Sequence, residues 1–151
     1  MGPEAAWIRL AEAGDLPVIE AIVAAAYGPY EARIGVRPGP LDDDYAGPIA
    51  KGQVHVLEAE EPCGFVILIP QEDAMLLDNV AILPAAQGRG FGGMLMRFAE
   101  AQARAGGFAC IRLYTHEKMV ENRALYTRIG YVETGRKTER GLARVYFEKP
   151  L

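Results

Sequence analysis

One stretch constrains this chain more than any other: Leu76-Leu77-Asp78-Asn79-Val80-Ala81-Ile82-Leu83-Pro84-Ala85-Ala86-Gln87-Gly88-Arg89-Gly90-Phe91-Gly92-Gly93. An apolar strand stops at Pro84, and a glycine-rich turn then opens a helix that the pattern carries to Ala105. Glycine bends freely and lets a ligand approach without a Cβ in the way. The first turn of a helix has unpaired N–H groups and partial positive charge. Together these form an anion site whose usual guest is phosphate. Each glycine in a helix costs ~0.5–1 kcal/mol relative to alanine, so a turn used only for packing would be wasteful, and segments that break local rules mark function.

Three phosphate-binding patterns compete for this turn. A P-loop needs Gly-Lys-Ser/Thr, and Gly92-Gly93-Met94 excludes it. A dinucleotide fold needs G-x-G-x-x-G near the first strand. Gly88, Gly90 and Gly93 have that spacing but sit mid-chain, after what reads as an antiparallel meander, so this pattern ranks low. The third is Q/R-x-x-G-x-G/A, matched by Gln87, Gly90 and Gly92.

Around this turn the chain reads as one α/β domain over residues 1–151. Strands are predicted at Trp7–Leu10, Val54–Ala59, Gly64–Ile69, Leu76–Leu83, Ala109–Tyr114, Tyr131–Thr134 and Ala143–Glu148. A helix starts near Asp15, which can cap it, and carries Leu16, Ile19, Val23 and Ala26 at helical spacing. A second runs from Gly88 to Ala105, with Met94, Leu95, Phe98 and Ala105 on one side. A third runs from Met119 to Ile129, and residues 35–47 read as a loop around a short helix. The expected fold is a mixed, mostly antiparallel twisted sheet of about seven strands with about four flanking helices and at least one β-α-β crossover.

A second segment, Tyr114 to Tyr131, has the shape N-x-x-A/x-L-Y-x-x-x-G-Y/F through Asn122, Tyr126, Gly130 and Tyr131. Asn122 and Tyr126 are four apart and share a helix face. With both motifs in this order, the chain resembles the GNAT superfamily of acetyl-CoA-dependent N-acetyltransferases. The resemblance spans essentially the whole chain and is weakest over residues 28–50. It implies direct acetyl transfer from acetyl-CoA to a primary amine while both are bound, without a metal, and dimers are common in that superfamily.

The resemblance also assigns residues. Gln87 and the backbone from Gly88 through Arg89, Gly90, Phe91 and Gly92 to Gly93 grip the pyrophosphate, with Arg89 at the rim. The backbone of Val80-Ala81-Ile82 grips the pantetheine arm and polarises the thioester carbonyl. Asn122 and Tyr126 face the cofactor. Tyr126 donates a proton or a hydrogen bond to the leaving thiolate; a phenol near pKa ~10 against a thiol near ~8.5 makes full transfer uphill by about 2 kcal/mol. A lysine-like amine of pKa ~10.4 is neutral in about one molecule in 2,500 at pH 7, a cost near ~4.6 kcal/mol, so a base is needed. Asp78, a carboxylate inside an apolar strand, is the first candidate, and bonding to backbone N–H groups is its structural alternative. His116 is the second. The acceptor belongs near residues 28–50, where Tyr27, Tyr30, Glu31 and Asp42-Asp43-Asp44 stand. The three aspartates either attract a cationic amine, cap a helix or face water.

Bulk properties narrow the alternatives. A net charge of -4 leaves no basic excess for nucleic acid or an anionic membrane. There is no apolar run long enough to cross a bilayer and no secretion signal, which makes a cytoplasmic protein the default. Cys63 and Cys110 sit in apolar runs as reduced core residues, and with His55 and His116 they show no metal-ligand spacing. A non-catalytic acyl-CoA sensor of the same fold, another acyl donor and an oxygen acceptor are the competing readings.

Overall fold

The computed structural model describes residues 5–35 and 37–151. Its strands are β1 (Trp7–Leu10), β2 (Val54–Glu58), β3 (Pro62–Pro70), β4 (Met75–Ile82), β5 (Cys110–His116), β6 (Val132–Glu139) and β7 (Leu142–Pro150). The helices are α1 (Leu16–Tyr27), α2 (Tyr30–Ile34), α3 (Ala46–Ala50), α4 (Phe91–Ala105) and α5 (Val120–Arg128). One seven-stranded sheet has the order β1-β2-β3-β4-β5-β7-β6. All neighbours are antiparallel except β4 and β5. That parallel pair needs a crossover, and α4 supplies it. No helix among the described residues is long and apolar enough to cross a membrane.

Both sheet faces are covered. β3 is buried without a break from Cys63 to Leu68, the mark of a central strand. On one face Ile19, Ile22 and Val23 of α1 pack with Phe65, Ile67 and Ala81. On the other, Leu95, Met96 and Ala99 of α4 pack with Val66, Leu77 and Ile111.

Two irregularities in β4 open the sheet. Ile67 pairs with Asn79 but the next residue, Leu68, pairs with Leu77, so Asp78 is an extra residue with no partner on β3. Such a bulge bends a strand and increases its twist. On the other side, β4 pairs with β5 only at Met75–Ile111 and Leu76–Arg112. Beyond Leu76 the two strands part.

Several expectations change. Among the described residues there are five α-helices rather than about four: α2 lies just before the segment 35–47 read as a loop around a short helix, in residues assigned no element, and α3 begins at that segment's end. α4 starts at Phe91, not Gly88, since Gly88 and Gly90 have φ of +81° and +83°. Its buried stripe is Phe91, Leu95, Met96, Ala99 and Ala103, while Met94 and Phe98 are half-buried and Ala105 is exposed. Asp15 does not cap α1. It grips the Arg9 guanidinium at 2.8 and 2.9 Å and accepts the Glu12 N–H. The last hairpin is longer than predicted, because β6 is exposed almost throughout and so has no hydrophobic alternation to reveal it.

Gly64 lies against the end of β4, where a Cβ would meet Ile82 Cδ1 at 2.6 Å and the Ala81 carbonyl oxygen at 3.0 Å. Gly64→Ala is expected to destabilise the fold by about 1–3 kcal/mol through overpacking. Thermal unfolding checks this, and an unchanged melting temperature refutes it.

Candidate active site

Where β4 leaves β5, a cleft opens between β4, the glycine turn and α5. Every residue predicted to bind cofactor lines it except Arg89 and Gly93. None of the N–H groups from Gly88 to Gly93 donates to a protein acceptor among the described residues, whereas the next amide, Met94, donates to Gly90 at 3.1 Å. A Cβ at Gly88, Gly90 or Gly92 would meet no protein atom within 4 Å. Packing therefore does not require glycine there. A chain of open amides facing free space fits a diphosphate. Gln87 is exposed, and its Nε2 donates to the Ile82 carbonyl at 3.3 Å, holding the turn onto the end of β4. Arg89 does not line the cleft; its guanidinium lies over the ring of Phe91, which does, and 3.6 Å from Glu60.

A second cavity, of about 730 Å³ including its open mouth, lies on the other side of the parted strands. Asp78, His116 and Asp43 line it, with Pro38, Gly39 and Pro40 as one wall. Five residues line both cavities: Tyr27, Val80, Met119, Asn122 and Tyr126. The two spaces thus meet at Tyr126, with Val80 on the opposite strand. A polar mouth follows, lined by Asp43, Asp44, Asp78, Glu139, Arg140 and Arg144. Segment 28–50 is tied down over α5. Arg33 bonds both Glu121 carboxylate oxygens at 2.8 and 2.7 Å, and Lys118 Nζ donates to the Ile34 carbonyl at 3.4 Å. Val36, within that segment, lies outside the described residues.

The three candidate catalytic groups come together on the second cavity but differ in state. Tyr126 is 6% exposed and packs edge-on against Phe147 at 5.8 Å. Its hydroxyl has no hydrogen-bond partner among the described residues, and burial pushes its pKa to about 12. Asp78 is half-buried and makes no side-chain hydrogen bond, so the backbone-bonding alternative does not apply. Burial, then the nearby Asp43 charge, raises its pKa, against the opposing effect of Arg144. His116 is lowered by burial, and its Nδ1 accepts the Lys118 N–H at 3.1 Å. In the neutral ring Nε2 then carries the proton and offers an N–H, not a lone pair.

The aspartate run separates into three environments. Asp42 pairs with Arg37 at 2.7 Å. Asp44 accepts the Ala46 and Gly47 N–H groups at 3.1 and 3.4 Å at the start of α3. Only Asp43 lines the inner cavity, and it has no ion-pair partner among the described residues. Glu31 is exposed and lines neither cavity, whereas Tyr30 lines the cofactor cleft.

Reading the sequence missed Asn79 and Arg144. Asn79 is 5% exposed and bridges two tyrosines. A polar residue beside Asp78 in an apolar strand was the available signal. Arg144 reaches the cavity only through the β5–β7 ladder, in which it pairs with His116.

A family model described as an acetyltransferase (GNAT) domain matches residues 50–133. The chain belongs to that family. N-alpha-acetyltransferase 80 of Mus musculus is 36% identical over 64 residues, which is 42% of this chain and 19% of the mouse protein. The chain thus spans about a fifth of that curated relative. The PaiA N-acetyltransferase of Thermoplasma acidophilum, solved in complex with coenzyme A, superposes with a TM-score of 0.80 at 18% identity, covering 97% of this chain and 99% of that one. A GNAT family acetyltransferase from Elizabethkingia anophelis with acetyl-CoA bound superposes with a TM-score of 0.72 at 17% identity, covering 98% and 99%.

Asp78 is a stability liability of defined sign. Its folded pKa is raised, so the proton is held more tightly in the folded state, and the stability this contributes is lost as pH rises through the folded value. Asp78→Asn is therefore expected to raise the melting temperature at pH 7.5 and to change it little near pH 3. A pH series of thermal melts checks this, and a lower melting temperature for the variant at pH 7.5 refutes it.

Proposed function

We propose that this chain transfers the acetyl group of acetyl-CoA to a primary amine by direct attack within a ternary complex. The observation that carries the reading is the row of six unpaired amides from Gly88 to Gly93, set on a cleft that meets a second cavity at Tyr126. The amides and Gln87 hold the diphosphate, and the edge of β4 at Val80-Ala81-Ile82, paired with β3 but not with β5, holds the pantetheine arm. When bound, the cofactor supplies the activated acyl group; the protein supplies position and proton management.

Tyr126 acts as a hydrogen-bond donor to the sulfur. With the phenol at about 12 and a thiol near ~8.5, complete proton transfer is uphill by roughly 5 kcal/mol, so stabilisation of developing charge is the larger contribution. Asp78 is the base. A carboxylate raised toward neutrality is better matched to an ammonium than an ordinary one, and it has no competing hydrogen bond. His116, whose Nδ1 lone pair is taken by the Lys118 N–H, serves as a wall residue.

The acceptor is cationic. Asp43 and Asp78 are both without an ion-pair partner among the described residues. Of the two mouth arginines, Arg144 is committed: it stacks on Tyr114 at 4.4 Å and lies 3.7 Å from Glu139. An ammonium is the natural counter-charge to these two carboxylates, which Arg144 and, at Asp43, Arg140 offset from the mouth without forming an ion pair with them.

Calorimetry with coenzyme A and a thiol-release assay with acetyl-CoA against n-butylamine, 1,4-diaminobutane, glycine and an alanyl dipeptide amide test the reading. Lack of affinity for coenzyme A ends it. Gly92→Ala is expected to stabilise the protein by ~0.5–1 kcal/mol, as alanine does in a helix, yet to weaken coenzyme A binding by about tenfold by crowding the amides. Unchanged affinity would count against the turn as the diphosphate seat. Tyr126→Phe is expected to lower kcat by roughly tenfold or more with coenzyme A affinity within about twofold. Unchanged turnover refutes the donor role.

A further inference from the structure

A chain of buried and half-buried hydrogen bonds joins α1, β4 and the segment from Pro40 to Tyr45 behind the meeting point of the cavities, and no motif accounts for it. Tyr27, the last residue of α1, lines both cavities. Its hydroxyl oxygen lies 2.5 Å from Asn79 Oδ1 and 3.2 Å from the Val80 carbonyl oxygen. On its other side, Asn79 places Nδ2 3.0 Å from the Tyr45 hydroxyl, which lies 2.6 Å from the Pro40 carbonyl oxygen.

The last link sets the direction of all the others. A backbone carbonyl can only accept, so the single hydroxyl proton of Tyr45 goes to Pro40. Tyr45 Oη then has only lone pairs left and must accept from Asn79. The amide nitrogen of Asn79 therefore faces Tyr45, and its carbonyl oxygen faces Tyr27. An amide oxygen also only accepts, so the one proton of Tyr27 lies in the 2.5 Å link. Burial, then the neighbouring Tyr126, pushes the Tyr27 phenol well up, which keeps that proton in place at neutral pH. Toward the cavities Tyr27 Oη offers lone pairs and nothing else.

The two tyrosines at the junction thus have opposite polarity. The Tyr126 proton is uncommitted, and the Tyr27 proton is committed. On the transferase reading above, we propose that Tyr27 Oη accepts one N–H of the acceptor amine, with Asn79 and Tyr45 as positioning residues that lock it in the accepting state. A neutral primary amine has two N–H bonds and one lone pair. The lone pair attacks the acyl carbon and one N–H points to Tyr27; as the C–N bond forms and the C–S bond breaks, the proton shed by nitrogen passes to Asp78 and coenzyme A leaves as a thiolate that accepts the Tyr126 hydrogen bond. An alcohol has a single O–H, which must go to the base, leaving Tyr27 facing another lone pair. The arrangement selects nitrogen over oxygen nucleophiles, because a site built to bond a substrate N–H rejects an analogue lacking it.

The test uses 1,4-diaminobutane as probe. Its thiol release with acetyl-CoA is measured at steady state, its binding to protein saturated with coenzyme A by calorimetry, and coenzyme A affinity and melting temperature alongside. Tyr27→Phe is expected to lower kcat/KM for the diamine about tenfold or more and to weaken its binding, with coenzyme A affinity within about twofold. Tyr45→Phe, whose ring lines only the outer mouth, frees the Asn79 amide to turn and is expected to lower kcat/KM about threefold in the same acceptor-specific way. A merely structural chain predicts instead that both variants lose melting temperature and coenzyme A affinity together. Unchanged diamine kinetics in Tyr27→Phe overturns the proposal. So does weakened coenzyme A with unchanged diamine kinetics, which assigns the hydroxyl to the pantetheine arm. Wild-type protein that binds coenzyme A but neither binds nor acetylates the diamine also counts against it, whereas wild-type protein that does not bind coenzyme A sinks the transferase reading itself.

Discussion

The site depends on hydrogen bonds that β4 and β5 do not make. After two paired residues the strands separate, so the middle of the sheet contains an opening floored by side chains from both. The bulge at Asp78 marks this divergence: it bends β4 and leaves the aspartate without a partner on β3. A strand edge left unpaired inside a protein is ordinarily a cost. Here the free backbone lies on the same cleft as the open amides at the start of α4. Both sets suit the elongated, polar, anionic guest proposed above.

The electrostatics repeat this pattern at the side-chain level. A carboxylate raised by burial, a phenol raised to about 12 and a tyrosine with its proton committed stand around one junction. Each is less stable, or less free, than it would be on the surface. Groups held away from their ordinary states cluster where a ligand will complete them.

Much of this was legible in the residues, for reasons that differ by element. β4 and the glycine turn announced themselves because alternation, Pro84 and closely spaced glycines each restrict the backbone strongly. The apolar stripe of α4 was harder: its four-residue spacing through Phe91, Leu95, Ala99 and Ala103 runs through small residues that attract less notice than Met94 and Phe98. β6 could not be read at full length, since a strand exposed on both faces has no pattern to show. Asp78 was visible as a carboxylate in an apolar strand, and Tyr126 through the motif it shares with Asn122, Gly130 and Tyr131. The bulge beneath Asp78 was not, because register belongs to a pair of strands. Asp43 could be told from Asp42 and Asp44 only once Arg37 and the start of α3 had claimed its neighbours.

The tie between α2 and α5 has a consequence for how this protein handles traffic. Arg33 and Glu121 meet in the open, with side chains 45% and 58% exposed. Such surface pairs contribute little net energy and are screened by salt. The roof over the second cavity is therefore latched by a weak clasp, while the glycine turn is carried between β4 and α4. No residue of the glycine turn takes part in that clasp, and the ionic strength of the surroundings sets how readily it lets go.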